Sequence, residues 1–227
     1  VKQLATTPFE AVVGDMGAGK SYFATHTLAA ELRRKVDLLV YWSPNMDDDW
    51  PHGPGLHVNR LWSVKMPRAF RIHADPAELK RWLERAAERY TIGVLLDESH
   101  KVFPNFNEPF QDPYPPAVRR ELRAWNAELL RQGRHGRLRI VFLTPTIAGM
   151  HPDLWRACQV THYFVQKEPR DLRAIEDRYG AEAALQVAKL PKRVCISVDR
   201  EAPPVGWNGY QLRLQQKVDR LKKGIAT

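Results

Sequence analysis

The feature that most restricts this chain is the run Gly14-Asp15-Met16-Gly17-Ala18-Gly19-Lys20-Ser21, set between a short apolar segment, Phe9 to Val13, and a stretch of helical periodicity, Tyr22 to Arg34. A glycine, four residues and then Gly-Lys-Ser is the spacing of a phosphate-binding loop, whose main-chain amides wrap phosphate oxygens at a helix N-terminus. Glycines let the backbone approach the oxygens, the Lys20 ammonium reaches the beta and gamma phosphates as a point charge, and Ser21 offers a hydroxyl to magnesium. Gly14 through Ser21, with Tyr22 following, form the candidate nucleotide-binding set. Strand, glycine loop and helix in that order is the context that separates such a loop from a chance match.

Ile92 to Leu96 is the most apolar strand of the sequence and runs directly into Asp97-Glu98. Ligands of open parallel sheets bind at the carboxyl ends of the strands, where this pair is delivered. Asp97 is expected to hold the magnesium through water, and Glu98 to orient or deprotonate an attacking water. An acidic pair alone often just opens a solvated loop; together with the glycine loop it points to hydrolysis. Two adjacent acids also argue against a small-molecule kinase, which needs no water-activating glutamate. No Asn-Lys-x-Asp reads a guanine, so ATP is expected over GTP.

Other segments alternate in the same way. Asp37 to Trp42, Phe70 to His73, Arg139 to Thr144, Val160 to Val165 and Val194 to Val198 read as strands. Ala77 to Tyr90 behind Pro76, Ala117 to Gln132, His151 to Ala157 and Asp171 to Ala188 read as helices. Residues 43–55 and the proline-rich stretch from Lys101 to Pro116 read as irregular. This order implies an α/β fold with a mostly parallel sheet, helices on both faces and right-handed crossovers. A length of 227 residues suits one domain, and 44% hydrophobic residues against 27% charged ones excludes disorder. Two cysteines, Cys158 and Cys195, exclude a disulfide scaffold, lack metal-ligand spacing and read as small core residues. No apolar run approaches the roughly 18 residues of a membrane span. The N-terminal residues lack a signal peptide's pattern, so a soluble protein that stays where it is made is expected.

The motifs GDMGAGKS, VLLDESH followed by KVFP, and LLRQGRHGRLRIVFLTPT with HPDLWRACQVTHYF behind it resemble, over roughly Phe9 to Val165, the FtsK/HerA superfamily of P-loop ATPases. Within it, the likeness is to the viral genome-packaging ATPases and the zonula occludens toxin-like assembly ATPases of filamentous phages. The resemblance implies a P-loop NTPase domain, taken as 1–210, with a basic helix or tail at 211–227, and ATP and Mg2+ as cofactors. It also implies an arginine that reaches a neighbouring subunit's gamma phosphate, assigned to Arg134, with Arg131 and Arg137 as alternatives, and a polar sensor at Thr144. Many relatives end this strand in Thr-Gln or Ser-Gln, whereas here Thr144-Pro145-Thr146 follows, leaving Thr144 or Thr146 to substitute. A plain strand cap is the other reading of Thr144.

The formal charge of +9 favours a polyanionic partner, although solubility accounts for it equally. Between Arg119 and Arg139 seven arginines face two glutamates, a composition suited to phosphate contacts or to a solvated helix face. The tail carries Arg213, Lys217, Arg220, Lys222 and Lys223 against Asp219, and solvation is its simpler reading. Phe103, Phe106, Phe110 and Tyr114 suit either a pore or partner contact or packing over the sheet edge. The expectation is an ATP-driven motor on double-stranded DNA, a homo-oligomeric ring (hexamer or pentamer in relatives) that fills a viral capsid and touches its vertex protein. Its place would be the host cytoplasm or the virion. The alternatives are a phage assembly ATPase, whose relatives usually carry a membrane segment, and a DNA-independent switch or kinase.

Overall fold

The computed structural model describes residues 9–44, 54–57, 68–105, 114–132 and 137–200. The first strand, β1 (Phe9–Val13), leads through the glycine loop into one unbroken helical rod made of α1 (Lys20–Phe23), a π-helical turn (Ala24–Leu28) and α2 (Ala29–Arg33). Then come β2 (Leu38–Trp42), β3 (Gly55–His57), β4 (Ala69–His73), α3 (Pro76–Ala87), β5 (Ile92–Leu96), α4 (Ser99–Val102) and α5 (Pro116–Gln132). The last third holds β6 (Leu138–Thr144), α6 (Pro152–Ala157), β7 (Val160–Tyr163), α7 (Pro169–Tyr179), α8 (Ala181–Ala188) and β8 (Ile196–Asp199).

The strands form one sheet in the order β3-β4-β2-β5-β6-β1-β7-β8. All neighbours are parallel except β7 and β8. Successive side chains of a strand point to opposite faces, and the core divides accordingly. Phe9, Ala11 and Val13 join Val40, Val94 and Phe142 under α3, α5, α6, α7 and α8. Val12 joins Leu39, Leu95, Val141 and Leu143 under Ala24, Leu28 and Ala29 of the helical rod. With Val102 of α4 added, six helices among the described residues cover one face and a single rod the other, as expected of strands apolar on both sides.

Local chemistry explains the boundaries. Pro76 sits in the first turn of α3 behind Asp75, whose carboxylate accepts from the Glu78 amide at 2.8 Å while the Glu78 carboxylate accepts from the Asp75 amide at 3.2 Å. This reciprocal cap starts the helix, and Leu79, Trp82, Leu83 and Ala86 then fall on the buried face. The stretch read as one helix from Asp171 to Ala188 is two, because Gly180 between α7 and α8 adopts φ 103°. The strand expected over Val160 to Val165 ends at Tyr163, and the one expected from Val194 begins at Ile196. Pairing with β4 makes Gly55–His57 a strand at the end of a segment read as loop.

Phe103 settles one open reading. It is fully buried, with its ring centroid 4.8 Å from that of Trp125 and 5.8 Å from that of Phe142, so it packs over the sheet and is no pore or partner contact. Tyr114 packs against the same core from a partly buried position. Phe106, Phe110 and the basic tail 211–227 lie outside the described residues. Cys158 is buried, whereas Cys195 is only half-buried.

Candidate nucleotide site

β1, β5, β6 and β7 run parallel, so their carboxyl ends share one edge of the sheet, and the glycine loop lies across that edge. It is tied down on both sides: the Gly14 amide donates to Thr144 O at 3.4 Å and the Asp15 amide to Val165 O at 2.9 Å. Two glycines are required by the geometry. A Cβ on Gly14 would stand 2.5 Å from the Phe164 Cβ, and Gly19 holds φ 107°, a left-handed conformation that side chains resist. Ala18 is buried, Asp15 half-exposed, and Met16 and Tyr22 stand at the rim with 88% and 70% of their surface open.

Lys20 folds back over the loop. Its Nζ donates to Gly14 O at 2.6 Å and to Asp15 O at 2.9 Å. Burial pushes the ammonium's pKa down, opposed by the nearby charges of Asp97, Glu98 and Asp15. The loop carbonyls thereby hold a cation where phosphates would otherwise draw it. Ser21, one residue further on, donates from Oγ to Asp97 Oδ2 at 3.0 Å.

Asp97 continues the ladder past β5, its amide donating to Trp42 O at 2.8 Å. Its carboxylate is buried and accepts from Ser21, from the Tyr41 hydroxyl at 3.0 Å and from the Glu98 amide at 2.9 Å. Burial raises its pKa in spite of these three donors. Magnesium keeps most of its shell as water and phosphate oxygens and takes only one or two protein groups, which a hydroxyl and a carboxylate 3.0 Å apart can supply. Among the described residues no cluster of three or more His, Cys, Asp or Glu could hold a metal ion by itself.

Glu98 turns away from the strand with φ 50° and ψ 40°, a left-handed backbone that costs a non-glycine residue on the order of 1–3 kcal/mol. Such strain persists where the surroundings over-determine it, and here the turn frees the carboxylate from the strand direction. Glu98 Oε2 lies 3.6 Å from both His100 Nε2 and Lys101 Nζ. On the next strand Thr144 is fully buried; its hydroxyl donates to Thr146 O at 2.8 Å and accepts from the Thr146 amide at 3.2 Å. Thr146 donates in turn to Asp171 Oδ1 at 2.9 Å.

The structure therefore brings together Lys20, Ser21, Asp97, Glu98 and Thr144, and it separates Arg131 and Arg137 from them. Arg131 lies in the last turn of α5 and Arg137 precedes β6, at the amino end of a seven-residue strand whose carboxyl end is Thr144. At about 3.3 Å per residue that is roughly 20 Å, beyond an arginine's reach. Arg137 caps α3, donating to Glu88 O at 2.9 Å, while Arg131 is 76% exposed with Glu128 3.9 Å away. Arg134 lies outside the described residues. Three members of the site were not singled out from the sequence: Tyr41, His100 and Asp171. Tyr41 carried a faint signal, being the one hydroxyl in the apolar run DLLVYW; His100 closes the motif VLLDESH without a role assigned to it there, and Asp171 carried none.

No family model matches the chain, and no curated protein matches its sequence. Among solved structures it is similar to the genome packaging NTPase B204 of Sulfolobus turreted icosahedral virus 2. In complex with AMPPCP that protein is 18% identical with a TM-score of 0.67, over 88% of this chain and 95% of that one. With ATP-gammaS the identity is 19% and the TM-score 0.66, over 86% of this chain and 93% of that one. The pCW3 conjugation coupling protein TcpA, as a monomer with ATPgS, is 12% identical at a TM-score of 0.50, over 76% of this chain and 52% of that one. The chain has the P-loop NTPase fold, and the structures it is similar to include the genome-packaging kind its sequence resembles.

Proposed function

We propose that this chain is an ATPase that drives double-stranded DNA, a viral genome, into a preformed capsid, working as a ring of identical subunits. The observation that carries the reading is the division of labour along β6. A lysine, a hydroxyl and two carboxylates meet at one end, and exposed basic residues lie roughly 20 Å away at the other, out of reach of this chain's own nucleotide and free to serve a neighbour's. The likeness to a genome-packaging NTPase supports the choice of cargo.

Lys20 would exchange its two loop carbonyls for phosphate oxygens, and the loop amides would face the same charge. Ser21 and Asp97 would hold Mg2+, which supplies charge neutralisation across the beta and gamma phosphates when bound. Glu98 accepts a proton from water as the water oxygen bonds to the gamma phosphorus and the bridging oxygen leaves with ADP. Thr144, whose carbonyl accepts from the Gly14 amide, would sense that change. Arg134, or Arg131 or Arg137 in its stead, would complete the site of the adjacent subunit.

DNA would be held through its phosphates, making binding tolerant of sequence and sensitive to salt. Among the described residues no helix is long and apolar enough to cross a membrane. The test is the steady-state ATPase rate with and without long double-stranded DNA at low and moderate salt, with Lys20→Ala as the blank. Salt-sensitive stimulation by DNA is the expected result. A substantial rate indifferent to DNA would overturn the motor reading and favour an assembly ATPase or a switch.

A further inference from the structure

His100 stands between two groups that the nucleotide reading treats separately. The single turn α4 that carries it is clamped on both sides. Ser99, fully buried, donates from Oγ to Leu143 O at 2.9 Å, and the Phe103 amide donates to Ser99 O at 2.8 Å, with the Phe103 ring locked in the core. The His100 ring therefore has little freedom. Its Nε2 is 3.6 Å from Glu98 Oε2, and its Nδ1 is 3.5 Å from Thr144 Oγ1. Lys101 lies equally close to Glu98, but its side chain is 43% exposed against 22% for His100, so only the imidazole is fixed in place.

Both separations are longer than a strong hydrogen bond, so either contact has room to tighten. Burial favours the neutral ring, and a neutral imidazole carries one N–H and one acceptor nitrogen. It can donate to Glu98 through Nε2 while accepting from Thr144, or donate to Thr144 through Nδ1 while leaving Glu98 without its proton. Thr144 can take part in both states because its hydroxyl proton, now directed at Thr146 O, is free to rotate. Behind Thr144 the segment is held: Asp171 Oδ1 accepts from Thr146 Oγ1 at 2.9 Å and from the Ala148 amide at 2.8 Å.

We propose that His100 is a positioning residue that couples the Glu98 carboxylate to the Thr144 hydroxyl, so that the polar ends of β5 and β6 report on each other through one imidazole. This rests on the reading of Glu98 as the group that activates water. A turn of the Thr144 hydroxyl towards or away from the phosphate would then be passed to the carboxylate directly, through the imidazole.

The test uses full-length His100→Ala, His100→Asn and His100→Gln, read by turnover number, nucleotide dissociation constant and melting temperature. For His100→Ala the turnover number should fall about 10- to 100-fold, as expected when a catalytic group is misplaced, with nucleotide affinity retained. Asn keeps a polar group near the Nδ1 position and Gln one near Nε2, so each should restore part of the loss and neither all of it. Adding Thr144→Val to His100→Ala should cost little more than either change alone. Full turnover in His100→Ala, or a loss confined to affinity or melting temperature, would overturn the proposal. An inactive wild-type protein would defeat the reading of Glu98, and the coupling is then read from the His100 ring nitrogens by NMR. Glu98→Gln and Thr144→Val should each shift those signals, and a ring unmoved by both would overturn the coupling itself.

Discussion

The two ends of β6 differ in what they leave for others to do. At the Thr144 end polar groups are answered within the chain: Lys20 by loop carbonyls, Asp97 by three donors, Thr144 by Thr146, and Thr146 by Asp171. At the other end Arg131 and Arg137 stand at the surface, Arg131 with Glu128 3.9 Å away and Arg137 donating to Glu88 O at 2.9 Å. The first region is pre-organised for a small, highly charged ligand; the second leaves cations at the surface. Under the proposed function, a subunit built this way is expected to hold a nucleotide alone and to need a second copy to turn it over.

The sharpest way to separate the two ends is Glu98→Gln. Turnover should fall on the order of a thousandfold while ATP is still bound, because the carboxamide keeps the shape and loses the base. Direct binding measurements beside a single-turnover assay check this, and lost ATP affinity would mean the acid serves the loop instead.

Asp171 tests whether the answered end is also the more rigid one. It is fully buried, and its Oδ2 has no hydrogen-bond partner. Asp171→Ala orphans the donors of Thr146 and Ala148 and should cost roughly 2–4 kcal/mol in denaturant unfolding. Asp171→Asn keeps an acceptor and should cost far less. Burial raises the Asp171 pKa above the usual carboxylate value in the fold, opposed by its hydrogen bonds. The folded state therefore prefers the proton, and the carboxylate subtracts stability at neutral pH. That penalty should fade as pH falls through the raised folded value towards 3.8, so wild type should gain stability relative to Asp171→Asn over that window. A wild type that loses stability relative to Asp171→Asn on acidification would contradict the sign.

Tyr41→Phe removes one donor from the buried Asp97 carboxylate and should cost about 1–2 kcal/mol with several-fold slower turnover, measured on the same samples. At the other end of β6, Arg131→Ala should change stability by less than about 0.5 kcal/mol, since its side chain is largely in solvent. A large loss of fold stability there would erase the contrast between the two ends.

The sequence was most readable where spacing is itself the chemistry. Lys20 and Ser21 follow Gly14 at fixed offsets, and the apolar run Ile92 to Leu96 can only deliver Asp97 and Glu98 to a sheet edge. The expected strand Phe9 to Val13 and the parallel sheet emerged from the same periodicity. What stayed hidden depends on contacts across the chain. Tyr41 meets Asp97 across 56 residues and His100 meets Thr144 across 44, distances at which no local pattern speaks. Gly180 interrupts a stretch whose apolar spacing continues smoothly into α8, so periodicity alone merged two helices. β3 has three residues, too few to show alternation, and owes its form to β4.

The proposed motor depends on one site being finished by another subunit's arginine, and a mixing experiment tests that most directly. Arg134→Ala carries an intact phosphate loop, and Lys20→Ala an intact basic segment. Each alone should hydrolyse ATP far more slowly than wild type, with the arginine variant down by about a thousandfold or more. Mixed in equal amounts, they should recover a clear fraction of wild-type turnover, because a Lys20→Ala subunit can supply its arginine to a neighbour's loop. Full activity of Arg134→Ala alone would contradict the assignment of that arginine, and two inactive variants that stay inactive when mixed would contradict the shared site.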